Sequence, residues 1–118
     1  MNQDVKQAVV EQVHELMQAP SCCQQAREAA QRFLDAIDTP QERQQTEAFL
    51  AELEADRMPV QMLIDFAQSE QGAKVFSEKA ADVAAHAKQI QAAGAQFCDC
   101  AACSAATKIL EQRAQLLP

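Results

Sequence analysis

Apolar residues recur every three to four positions along most of this chain, and no segment alternates apolar and polar residues long enough to make a strand. The pattern predicts helices joined by short turns. A first helix over residues 3–18 places Val5, Val9, Val13, Leu16 and Met17 on one stripe and stops at Ala19 and Pro20. Ser21 stands as an N-cap with Gln24 at the capping-box position, so a second helix is expected to carry Cys22 and Cys23 in its first turn and Ala26, Ala30, Phe33, Leu34 and Ile37 inward. Thr39 and Pro40 announce a third helix running to Asp56 through Phe49, Leu50 and Leu53.

Pro59 begins a shorter fourth helix with Met62, Leu63 and Phe66, where the methionines and phenylalanines read as core. Ser69 is a cap for a long fifth helix through Val75, Phe76, Val83 and Ile90, and Gly94 is its natural stop because glycine accepts a left-handed backbone at little cost. A sixth helix opens inside a cysteine trio and continues through Ile109, Leu110, Leu116 and Leu117. The expected fold class is therefore all-α, a compact bundle of about five to six helices. With 118 residues and no linker or repeat, one domain over 1–118 is expected.

Composition makes that core thin. Hydrophobic residues are 48% of the chain, but alanine supplies many of them, with no Trp or Tyr and five Phe. Close packing through alanine is expected, and a metal tie would reinforce it. A net charge of −7 disfavours nucleic acid and anionic membranes as partners, since both need clustered Lys and Arg. Met1–Val10 lacks the basic start and apolar run of a secretory signal, and no run approaches a membrane span, which together imply a cytoplasmic protein.

Chemistry enters with the cysteines. Five are present: the adjacent Cys22 and Cys23, then Cys98, Cys100 and Cys103 far along the chain. In a reducing compartment such clusters read as metal ligands or redox groups, and an odd count fits a disulfide framework badly. Cys100 and Cys103 are three residues apart at a helix start and can aim at one ion, and Cys98 adds a third ligand in a Cys-x-Cys step. Cys22 or Cys23 could supply the fourth if the second helix begins beside the sixth. Adjacent side chains diverge by about 100° on a helix, so one of the pair is left as a spare thiol, a second-metal ligand or a core residue. Helix N-termini would stabilise the thiolates, while Asp99 opposes them unless its carboxylate caps the helix.

Thiolate-rich tetrahedral sites suit zinc, Cu(I) and iron–sulfur clusters, with zinc preferred here because no ferredoxin spacing is present and the thiols are few for a copper store. His86, on a stripe with Val83 and Ile90, should face the interior, either near the metal or as a hydrogen-bonded core histidine. His14 reads as a boundary residue. No phosphate-cradling glycine loop, paired catalytic carboxylates or serine nucleophile motif is present, so the sequence favours a non-enzymatic role while leaving the question open.

The segments PSCC at 20–23, LIDFAQSEQGAKVF at 63–76 and AAHAKQIQAAGAQFCDCAAC at 84–103 resemble a family of small bacterial proteins that often carry heat-shock or ninety-kilodalton-chaperone-like names. Such chaperones need a large nucleotide-binding domain, which 118 residues with two glycines do not supply. What the resemblance implies is the pattern itself: Cys22, Cys23, His86, Cys98, Cys100 and Cys103. Phe97 and Ala101 stand where many relatives have Tyr and Pro, a change of loop stiffness that leaves the thiols in place.

Several functions fit these residues. A structural zinc site would hold two helix starts together and present a surface to a protein partner. A metal-handling or sensing protein would exchange zinc or Cu(I) through exposed thiolates. A redox or iron–sulfur protein would use the Cys-x-x-Cys pair, here without the strand that precedes it in thioredoxin-like folds. A metal-free helical interaction module is the remaining alternative.

Overall fold

The computed structural model describes residues 2–118, and among them the chain is all-α with no strand. Seven helices and a closing helical turn, Arg113–Leu116, are present among the described residues, slightly more than expected. They are α1 (Gln3–Gln18), α2 (Gln24–Ala36), α3 (Glu42–Asp56), α4 (Val60–Ala67), α5 (Glu70–Phe76), α6 (Ala80–Ala92) and α7 (Ala101–Leu110). The chain forms two compact units. One is built from the residues up to Arg57 together with Asp99–Pro118, the other from Met58–Cys98.

The first unit packs α1, α2, α3 and α7. Asn2 starts α1 by accepting a hydrogen bond from the Val5 N–H at 2.8 Å, and Val9, Val13 and Leu16 bury the predicted stripe. α2 presents Ala26, Ala29, Ala30 and Phe33, and α3 answers with Phe49, Leu50 and Leu53. The rings of Phe33 and Phe49 stack with centroids 5.1 Å apart, which joins α2 to α3 by the two largest buried side chains. α7 contributes Ala102, Ala105, Ala106 and Ile109, and its small side chains let α1 and α3 approach its backbone closely.

Asp38 turns the chain between α2 and α3 at φ 64, a left-handed conformation that aspartate tolerates better than most residues. Its carboxylate pairs with Lys6 of α1, while the Thr39 hydroxyl donates to the Ala36 carbonyl at 2.6 Å. These bonds occupy Thr39, so α3 begins at Glu42, past the Thr39–Pro40 start that the sequence suggests. Thr46 is the one buried polar residue of the core among the described residues, and its hydroxyl satisfies itself on the Glu42 carbonyl at 2.6 Å.

The second unit packs α4 against α6 through Val60, Ile64 and Ala87, with Leu63 and Ile90 beside them. Ser69 caps α5 as expected, accepting from the Gly72 N–H at 3.1 Å. The long fifth helix of the sequence reading does not form. Ser77 adopts φ 53 and ends α5, a 3-10 turn over Ser77–Lys79 follows, and α6 restarts at Ala80 with a new register. Three further expectations are corrected. Val75, just before that break, is 64% exposed instead of inward, Met62 on α4 is 57% exposed instead of core, and Ala84 and Ala87 form the buried face of α6. His86 lies on the exposed side of α6 instead of facing the interior, with Val83 and Ile90 only half-buried, because α6 packs on Ala84 and Ala87. Gly94 ends α6 at φ 102, as its position predicts.

Candidate metal centre

Two backbone hydrogen bonds fix the approach to the cysteine trio. Past Gly94 the chain runs antiparallel to the start of α4, where the Val60 N–H donates to Gln96 at 2.9 Å and the Cys98 N–H donates to Met58 at 2.8 Å. Cys98 is thereby held at a defined point of the backbone. Cys100 follows in extended conformation as the N-cap of α7, and its sulfur accepts from the Cys103 N–H at 3.4 Å. The cysteine, and not the Asp99 carboxylate, thus stands at the cap position. The Asp99 carbonyl instead accepts from the Ser104 hydroxyl at 3.1 Å, tightening the same turn.

The consequence is a three-thiol cluster. The sulfurs of Cys98, Cys100 and Cys103 all lie within 4.8 Å of one another. Sulfurs bound at about 2.3 Å around a tetrahedral zinc stand roughly 3.8 Å apart, so each pair needs to close by about 1 Å at most. Cys103 is 8% exposed, while Cys98 and Cys100 are half-buried. The arrangement can hold a metal ion on three sides. The N–H groups at the start of α7 favour the negative charge that such a site accumulates.

Cys22 and Cys23 stand apart from that group. α2 begins at Gln24, two residues later than the capping box suggests, with Cys23 as an N-cap that makes no side-chain cap bond. The reason is Ser21. Its hydroxyl accepts from the Ala102 N–H at 3.1 Å, so the serine caps α7 across the fold instead of its own helix. This hydrogen bond does bring the start of α2 beside the start of α7, the tertiary relation that a joint site needs.

Cys22 is 6% exposed and lines a cavity of about 70 Å³ together with Leu16, Leu53, Asp56, Arg57 and Cys103. Burial pushes its thiol up from the ordinary range, and the nearby charges of Cys23, Asp56 and Cys100 act in the same direction, against the Arg27 guanidinium. Arg27 is held there by the carbonyls of Met17 and Ala19, at 3.2 and 3.1 Å. Cys23 points elsewhere. It is exposed, reaches the same cavity, and donates its thiol proton to the Asp56 carboxylate at 3.4 Å. Burial raises its pKa first, and the Asp56 and Glu52 carboxylates add to the rise against the Ala26 N–H.

The structure thus brings Cys98, Cys100 and Cys103 together, sets Cys22 in the cavity beside Cys103, and leaves His86 outside the group of close ligand atoms. Sequence reasoning missed Ser21 as a cap for α7, and Asp56 and Arg57 as cavity walls. The last two close α3 like any polar helix end; the Arg57 guanidinium also donates to the Thr107 hydroxyl on α7 at 3.3 Å. No helix among the described residues is long and apolar enough to cross a membrane. The fold and cluster define the chain as a helical protein with a thiol site suited to a metal. No family model, no curated protein and no solved structure matches it.

Proposed function

We propose that this is a bacterial cytoplasmic zinc protein in which Cys98, Cys100 and Cys103, joined by a fourth thiolate from the Cys22–Cys23 pair, close a structural site. The observation that carries the reading is the mutual approach of the three sulfurs within 4.8 Å. Zinc suits it because a thiolate-rich tetrahedral site without redox demands is its commonest structural setting. The thin alanine core gives the ion a physical task, since metal binding to the folded chain alone adds directly to stability. Held firm in this way, the helix starts would offer a fixed surface to a protein partner.

A second reading is metal handling, favoured by the half-burial of Cys98 and Cys100, which leaves sulfur reachable by another carrier's thiolates. Elemental and acid-labile sulfide analysis of untagged protein, purified anaerobically, separates the two. About one zinc per chain, lost only with unfolding, supports the structural site. Copper, several ions, or iron with sulfide overturns it in favour of exchange or cluster chemistry, and a chain that stays metal-free after zinc reconstitution sinks both.

A further inference from the structure

We infer that Cys22, and not Cys23, is the fourth ligand that joins Cys98, Cys100 and Cys103 on the metal. The inference rests on the zinc-site reading above and deepens it. The backbone decides first. Cys23 is in extended conformation, φ −75 and ψ 160, and neighbouring side chains on extended backbone face opposite ways. With Cys22 turned into the fold at 6% exposure, Cys23 faces outward, where it is exposed and bound to Asp56.

Space and reach decide next. Cys22, Cys23 and Cys103 all line one cavity of about 70 Å³, but of the pair only Cys22 is buried there, and Ser21, the residue before Cys22, is hydrogen-bonded to Ala102, the residue before Cys103. The two cysteines are therefore carried side by side on a fixed backbone. The Cys22 sulfur lies outside the 4.8 Å group and donates to the Cys23 carbonyl at 3.5 Å, a weak thiol hydrogen bond that a metal–sulfur bond would replace. A change of χ1 rotamer moves a cysteine sulfur by roughly 3 Å, and the cavity gives it room.

The hydrogen bonds point the same way. The Cys23 side chain is engaged with the Asp56 carboxylate at 3.4 Å, outside the group of close sulfurs. Cys23 is thus assigned as a thiol outside the coordination sphere.

X-ray absorption on zinc-loaded wild type and Cys23→Ala tests this without disturbing the buried residue. In Cys23→Ala only four cysteines remain, so four sulfur neighbours at about 2.3 Å can be supplied only with Cys22 among them. That spectrum, identical to wild type, is the expected result. Four sulfurs in wild type but three with a lighter atom in Cys23→Ala would overturn the assignment, as would three in wild type. A wild type that takes up no zinc would instead bring down the metal reading itself. As a second arm, Cys22→Ala should lose about a quarter of the sulfur-to-Co²⁺ charge-transfer intensity and bind Co²⁺ at least tenfold more weakly. Unchanged Co²⁺ intensity and affinity in that variant would also overturn the inference.

Discussion

Gly72→Ala sets two rules against each other. Alanine in place of glycine within a helix returns about 1 kcal/mol of conformational entropy, so propensity alone makes the change stabilising. The contact at Gly72 reverses that. A methyl group there would stand 1.9 Å from the Phe66 carbonyl oxygen, 2.8 Å from its carbon and 2.9 Å from the Ala67 Cα. All three are backbone atoms, so no side chain can swing aside, and α5 must retreat from the end of α4 by about 1.1 Å to reach a 3.0 Å contact. The same Phe66 oxygen accepts from the Ser69 N–H at 3.0 Å and the Ser69 hydroxyl at 2.6 Å.

Losing those two bonds costs about 1 kcal/mol each, and loosening the edge-to-face contact of Phe66 and Phe76 costs about 1 more. After the propensity gain the net loss is about 2 kcal/mol or more. Hydrogen exchange read by mass spectrometry on the α4–α5 peptides should show amides opening at least about 30-fold faster than in wild type. Exchange within threefold of wild type, or slower, would refute the reasoning and show that the helices adjust at no cost. Gly94→Ala is the control: its φ of 102 is strained for alanine but nothing lies within 4 Å, so only a backbone cost of about 1 kcal/mol is expected.

Ser21→Ala should cost about 1 kcal/mol in urea unfolding by uncapping α7, and Ser21→Thr should recover most of it; equal stability of all three would show that water replaces the cap. Phe33→Ala, at a site 1% exposed and stacked on Phe49, should lose about 3–5 kcal/mol, with a loss under about 1 kcal/mol contradicting the packing described. The folded chain holds the Cys23 proton more tightly than the unfolded chain does. That contribution to stability is complete below the ordinary thiol value of 9.0 and is lost as pH rises through the higher folded value. In the metal-free protein Asp56→Asn should therefore speed alkylation of Cys23 at pH 9.0 several-fold, and an unchanged rate would mean the carboxylate does not hold the thiol.

Helix existence was legible wherever a stripe and a stop signal coincided. Val9, Val13 and Leu16 before Pro20, the Ser69 cap and the Gly94 stop each need only local rules. The trio was legible for the same reason, because its six residues meet within one turn and one extended step. The break at Ser77 was not, since Ser-Glu-Lys carries no helix-breaking glycine or proline that would announce the positive φ of Ser77. With the helix cut there, Val75 no longer shares a face with Val83 and Ile90, and α6 buries Ala84 and Ala87 in place of His86. Nor was the role of Ser21 legible. A serine before a helix reads as that helix's own cap, and only the folded chain shows its hydroxyl committed to Ala102.

The hydrogen bond from Ala102 to Ser21 spans 81 positions of the chain, and it has a consequence for the order of assembly. The first unit is discontinuous, with Met58–Cys98 inserted between its two parts. While the chain is being synthesised, α1, α2 and α3 emerge without the helix that covers Val9, Val13 and Leu16, whereas α4 and α6 of the inserted segment carry both sides of their shared core. Contacts this distant form only after a long loop closes, which makes α7 a late arrival and the first unit slow to complete. The cysteines at the two ends of that loop therefore meet at the close of folding, so that an ion captured there would report a finished fold.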